Sequence, residues 1–395
     1  MKRATRSSLI TCLVMLAFCG LLCLLPEKSN VTGSFPREKV RIERVDNSML
    51  DAVGITYNGV QPCEVTLLTG EHKGERCTSY NYLNSALDKD KLFVSGDIAW
   101  AMIQDGDGRM TVTLIDHYRS NTLGWVLAVL AATLILFGGL TGCGAMVSLV
   151  ASAVIVWKLL IPLLLKGVNP MMASFATVIL LTLIIDVLVA GFTLKCLVAV
   201  LGSLAGTLVT CTAAVLLTDA LKFDGGDLPY VVPLLAQSSM GVDTRSLYIG
   251  MVFLANSGAL MDLSMDIAAS MEEIRFHKPD VSRIALVRSG LIVGRSVLGT
   301  MTTTLMLAYS GNYLSMLMYF AGQGTPVGDI VNLKYVASQL LNTLVGSFGL
   351  VVAAPLTALI AGWYYGRRGE PPQRGKTAGS VFVNANLVKT RFYVL

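Results

Sequence analysis

From Leu123 to Thr141 the chain reads LGWVLAVLAATLILFGGLT, with no charged residue. About 20 apolar residues in a helix cross the ~30 Å of bilayer hydrocarbon. In lipid, only a helix or a closed barrel satisfies every backbone N–H and C=O. Six more runs have this character: Ala145–Leu165, Met171–Ala190, Lys195–Leu217, Ser246–Ser270, Ile284–Tyr309 and Val336–Tyr365. With Leu9–Leu25 they bring the expected total to about eight spans, a mainly α, polytopic helical membrane bundle whose transmembrane domain covers residues 121–366. The first hairpin turns at GCG (Gly142–Gly144) and the second around Gly191 and Phe192. Composition agrees, with 53% hydrophobic and 14% charged residues against about 25% charged in soluble domains. A net charge of +5, dispersed between apolar spans, excludes a nucleic-acid surface.

Lys2, Arg3 and Arg6 precede the first run, and no small-x-small cleavage site follows it. Residues 1–25 therefore read as an uncleaved signal anchor, with cleavage as the alternative. Over residues 26–120 the pattern turns to strands. EKVRIERV alternates, CEVTLLTG ends in a glycine turn, and WAMIQ and MTVTLI flank the Asp-Gly pairs of a hairpin turn at 105–108. A small β-rich barrel or sandwich is expected outside the membrane, as a cap or assembly domain rather than a ligand-binding module. Six of the eight cysteines lie in apolar segments; Cys63 and Cys77 do not, and a disulfide between them stays open. The three histidines, His72, His117 and His277, match no metal spacing, so neither a metal nor another cofactor is expected.

Residues 313–320 are apolar but too short to span, and Gly322, Gly324 and Pro326 follow. A re-entrant or interfacial segment is expected there. Eight spans from a basic N-terminus then return both the loop with Arg275, Lys278 and Arg283 and the basic tail, 367–395, to the inside. That tail is expected to meet lipid headgroups.

The charges inside the spans are the informative residues. A short inner loop joins 246–270 to 284–309, which sets Asp262 opposite Arg295, Asp266 opposite Leu291 and Asn256 opposite Met301. One turn of slack brings Asp266 to Arg288 or Arg295. Asp262 and Asp266 share a face, as do Arg288 and Arg295. Asn256, Thr300, Thr302, Thr304 and Asn342 continue the polar lane. Charged groups in spans are a functional hypothesis by default, and a static salt bridge fixing the hairpin is the competing reading. A second pair, Asp186 with Lys195, reads as structural. Gly202-x-x-x-Gly206 and Gly346-x-x-Gly349 read as helix packing contacts.

GALMDLSMDIAAS (258–270), RSGLIVGRSVLGTMTTTLMLAYSG (288–311), LVGSFGLVVAAPLTALIAG (344–362), GFTLKCLVAVLGSLAG (191–206) and LTGEHKGE (68–75) resemble the YibE/F-like membrane protein family. Asp266, Ser296 and Thr303 depart from the family pattern, whereas Asp262 and Arg295 match it. The resemblance implies a bacterial multi-span protein of the cytoplasmic membrane, with a related membrane partner or a homo-oligomer as its assembly. Two functions compete. One is a secondary transporter or permease subunit for a small molecule or ion. The other is a non-transporting scaffold or assembly factor acting through the outer domain and a membrane partner. No enzymatic motif is present; the Gly-x-Gly-Asp of intramembrane aspartyl proteases is absent around Asp186 and Asp262, and no Walker or hydrolase pattern occurs.

Overall fold

The computed structural model describes residues 2–24, 36–106, 109–237, 241–311 and 313–366. The basic tail, the Asp-Gly turn at 107–108 and the side chains of Lys2, Arg3 and Arg6 lie outside what is described. The chain divides into two compact units, Pro26–Thr133 and Met1–Leu25 with Leu134–Leu395.

The first unit is one antiparallel sheet, neither a closed barrel nor two stacked sheets. Its strands are β1 (Arg37–Val45), β2 (Leu50–Val53), β3 (Thr56–Leu67), β4 (Arg76–Asn84), β5 (Ile98–Gly106) and β6 (Arg109–His117). Their order is β2-β3-β1-β5-β6, with β4 on the other edge of β3. Alternation sends Val40, Ile42, Cys63, Val65, Leu67, Ala99, Ala101 and Ile103 to one buried face. The sheet curls into a half-barrel over them, and Ser79 Oγ on β4 reaches the Val112 carbonyl on β6 at 2.6 Å. The buried Gln61 amide ties in the loop before β5 through the Phe93 N–H and carbonyl (3.2 and 2.9 Å).

Cys63 and Cys77 are both free thiols. Register explains it: Cys63 stands opposite Ser79 and Cys77 opposite Val65. The cysteines are diagonal neighbours, and such Cβ atoms sit farther apart than the ~3.8 Å a disulfide uses. Burial pushes the Cys63 thiol up to about 11.

Among the described residues six helical stretches are long and apolar enough to cross a membrane, so the expected eight spans are not confirmed. In α1 (Lys2–Leu24) the described part of the expected run Leu9–Leu25 is the apolar stretch Thr11–Leu24, and the rest of that run lies outside the described side chains. The two runs expected from 123 to 165 form a single 46-residue helical stretch: α2 (Ser120–Ile155), a π-helical turn (Val156–Leu160) and α3 (Ile161–Leu165). Pro162 offers no N–H to the Lys158 carbonyl, which fits the widened turn. The chain still reverses, at Gly139 (φ 55°, ψ −126°) rather than at Gly142–Gly144, and Gly142 then backs onto the Leu134 carbonyl.

The remaining spans are α4 (Pro170–Ala190), α5 (Leu194–Ala220), α7 (Thr244–His277), α8 (Arg283–Gly311) and α11 (Lys334–Tyr365), with the short α6 (Val231–Gln237) before α7. Asn169 caps α4 through the Met172 N–H ahead of Pro170 at its first turn, and Thr193 caps α5 through the Cys196 N–H. Between α8 and α11, α9 (Leu314–Gly322) and α10 (Val327–Asn332) are too short to span.

Helices α5, α7 and α11 make the core, with Val198, Leu260, Leu263, Ile267, Leu350 and Ala354 buried together. Small residues let the backbones meet. A Cβ on Gly206 would lie 2.6 Å from Ala353 Cβ and 3.0 Å from Leu260 Cδ2, and one on Gly202 would overlap Thr357. Gly206→Leu should therefore destabilise the detergent-solubilised protein by about 1–3 kcal/mol, whereas Gly328→Leu, with open space around it, should not. Equal unfolding midpoints would contradict the packing. With its thiol pushed up, Cys63 should resist alkylation at pH 8 in peptide-resolved mass spectrometry until the sheet unfolds; rapid labelling of the folded chain would contradict its burial.

Candidate functional site

Helices α4 and α7 run parallel. Gly250 of α7 rests on Ser174 of α4, so that an added Cβ would lie 2.7 Å from Ser174 Oγ, and Phe253 packs edge-on against Phe175, centroids 6.0 Å apart. Asp186 lies twelve residues beyond Ser174, and Asp262 twelve beyond Gly250. The shared rise of 1.5 Å per residue brings both carboxylates to one level, where they are within electrostatic range of each other. Asp266 follows Asp262 by one turn.

The two acids differ in surroundings. Asp186 is 2% exposed. Its Oδ2 and the hydroxyl of Thr182, one turn earlier, are buried without a hydrogen-bond partner. Asp262 and Asp266 are exposed along an open face of α7. The expected Asp186–Lys195 pair is not formed. Lys195 is half-buried, and the neighbouring Cys196 is the α5 residue buried within range of Asp186.

The pair expected between Asp262 and Arg295 is not formed either, nor does Asp266 reach Arg288 or Arg295. Gly294 of α8 packs on Ile267 of α7, and Gly290 on Met271. Asp266 is thus level with Arg295, and Glu273 with Arg288. The faces are wrong for contact. Asp266 precedes Ile267 by one residue and Arg295 follows Gly294 by one, and each step turns the side chain about 100°. On antiparallel helices those opposite steps rotate in the same sense as seen from one end, so the acid and the base leave the hairpin on opposite sides. Arg288 and Arg295 are exposed. Ion pairs of this unit among the described residues lie near helix ends, as in Arg245–Asp219, Lys334–Asp224 and His277–Glu273. The Lys334 ammonium holds the Asp224 carboxyl below its usual range. None of these end pairs was anticipated.

The polar lane divides. Asn256, 1% exposed, donates to Asn342 Oδ1 at 2.9 Å and to the Val252 carbonyl at 2.7 Å, and accepts from Tyr309 Oη at 3.1 Å. Gly346 faces this amide so closely that a Cβ would overlap it. Tyr309 was missed because an aromatic near the end of a span reads as an interface anchor. Thr300 and Thr304 are exposed and bond back to the carbonyls of Val297 and Thr300, and Thr302 is half-buried; the threonines thus stand apart from the Asn256 amide.

Tyr309→Phe should cost about 1 kcal/mol of unfolding free energy, one net hydrogen bond. Asn256→Ala should cost more, about 2–3 kcal/mol, because it removes the hydrogen bonds to both half-buried Tyr309 and Asn342 and the packing of a buried side chain. Detergent unfolding measures both, and equal costs would contradict a network centred on Asn256.

The sequence pattern of the family described as YibE/F-like protein matches residues 126–367, which takes in α3, α4, α5, α7, α8 and α11 and all of the acids and bases above. No curated protein and no solved structure is significantly similar to the chain. With more than half of its length matched, the chain belongs to the YibE/F-like protein family.

Proposed function

We propose that this chain is a subunit of a secondary transporter or permease in which Asp186 and Asp262 take up and release protons along the α4–α7 face. One observation carries this reading: Asp186 is buried in a span with an unpartnered oxygen, level with a second carboxylate that opens outward. An uncompensated charge at membrane depth costs several kcal/mol, and an exchangeable proton removes that cost. Carboxylates so placed form the proton relays of pumps and transporters. Thr182 would accompany Asp186 as a hydroxyl relay, while the Asn256–Asn342–Tyr309 network fixes α7 against α8 and α11. The basic residues Arg275, Lys278 and Arg283, where α7 ends and α8 begins, favour an inside position for that turn by charge. In this reading the membrane is a bacterial cytoplasmic one, with both termini inside and the half-barrel outside.

A scaffold acting through the half-barrel is the second reading. What favours it is a set of exposed apolar side chains where β2, β3 and β4 meet: Met49, Val53, Ile55, Tyr80 and Tyr82. In proteoliposomes with a trapped pH dye, proton movement under an imposed gradient should fall at least about tenfold in Asp186→Asn and Asp262→Asn, with elution and unfolding midpoint unchanged. Undiminished proton movement in both would remove the carboxylates from the mechanism. If deleting residues 28–116 alone abolished the cellular phenotype, the scaffold reading would stand instead.

A further inference from the structure

Helix α8 buries only Leu286, Gly290 and Gly294. Its open face carries Arg295 some twelve residues, about 18 Å, from the helix start, with Arg288 nearer that start and Ser296, Gly299 and Thr303 beside Arg295. The open face of α7 carries Asp262 and Asp266, with Gly258 one turn before them. A Cβ added at Gly258 or Gly299 would meet nothing within 4 Å, so each charged face also carries a site of close approach that its own chain leaves unused. Insertion scales charge about 2.5–3.5 kcal/mol for a lone Arg or Asp at this depth.

We infer that a second copy of this chain covers these faces, with the basic face of α8 in one copy seated on the acidic face of α7 in the next. Three features favour a copy of this chain as the occupant. The charges are complementary and follow the same spacing, with acids at 266 and 273 and bases at 288 and 295. Asp266 is level with Arg295, and Glu273 with Arg288, through the Ile267–Gly294 and Met271–Gly290 contacts. Rotation about an axis normal to the membrane preserves depth, so groups level within one chain are also level between neighbours. Because the two faces leave the hairpin on opposite sides, the contact is head-to-tail, and its symmetric closed form is a ring rather than a two-fold dimer. Glu273 also bonds His277 in its own helix at 2.9 Å, so the Asp266–Arg295 rung is the principal one. The inference takes the acidic face of the proposed proton pathway as half of the interface and rests in part on that reading.

The test uses full-length chains in native membranes, with Asp266→Cys on one tagged copy and Arg295→Cys on a second. Oxidative cross-linking should give a mixed dimer about tenfold above a control pair of Asp266→Cys with Leu208→Cys, which lies exposed on α5. In nanodiscs, Asp266→Arg should dissociate the assembly, and adding Arg295→Asp should restore it. Asp186→Asn, away from the interface, should keep the cross-link while losing proton movement. A cross-link no stronger than the control, or monomers throughout, would overturn the interface even if Asp186→Asn still lost proton movement. A persistent cross-link with undiminished proton movement in Asp186→Asn would keep the interface and reject the pathway.

Discussion

In hydrocarbon a charge needs a counter-charge, a proton or water, and the bundle's central features follow from where its charges lack one. The structure keeps complete ion pairs at helix ends, where Arg245 meets Asp219 and Lys334 meets Asp224. Along the spans it places Asp186, Asp262, Asp266, Arg288 and Arg295 without an ion-pair partner among the described residues. Placing five such groups in a stable bundle is unfavourable for a solitary, static chain. A moving proton and a neighbouring copy relieve different parts of that cost: the first serves the buried Asp186, the second the exposed acids and bases.

The rigid part of the unit is built to hold that arrangement. Gly202 and Gly206 bring α5 against α11, and Gly346 admits the Asn256 amide between α7 and α11. Lipid gives apolar helices little reason to associate with one another, so close backbone contact and a satisfied polar cluster must hold α7 in place. That anchoring leaves the face of α7 that carries its carboxylates exposed. Helix α8 is fixed along one narrow stripe, Gly290 and Gly294, and presents the rest of its surface outward.

Much of this was legible in the sequence, because length and apolarity alone mark most spans and glycine spacing marks the helix contacts. The kinship of Asn256 and Asn342 was also visible, as two amides of one polar lane. What failed was rotation. Loop-centred pairing predicts which residues share a level, but a one-residue error turns a side chain about 100°, and the hand of two facing helices sent Asp266 and Arg295 apart. The same limit applies to Cys63 and Cys77, whose strands are adjacent while their register is offset by one diagonal. Asp186 was assigned to Lys195 by proximity in sequence, and only the parallel packing of α4 on α7 shows that Asp262 is its neighbour. The first hairpin was legible in outline, but its turn falls at Gly139, a few residues before the expected Gly142–Gly144.

Infrared difference spectroscopy on the membrane-embedded protein gives the most direct measurement of an acid site at Asp186. A carboxyl C=O band that shifts in deuterium oxide is expected in the wild-type protein. That band should vanish in Asp186→Asn and survive in Asp266→Asn. No such band, or one indifferent to Asp186→Asn, would contradict a proton held at the α4–α7 face.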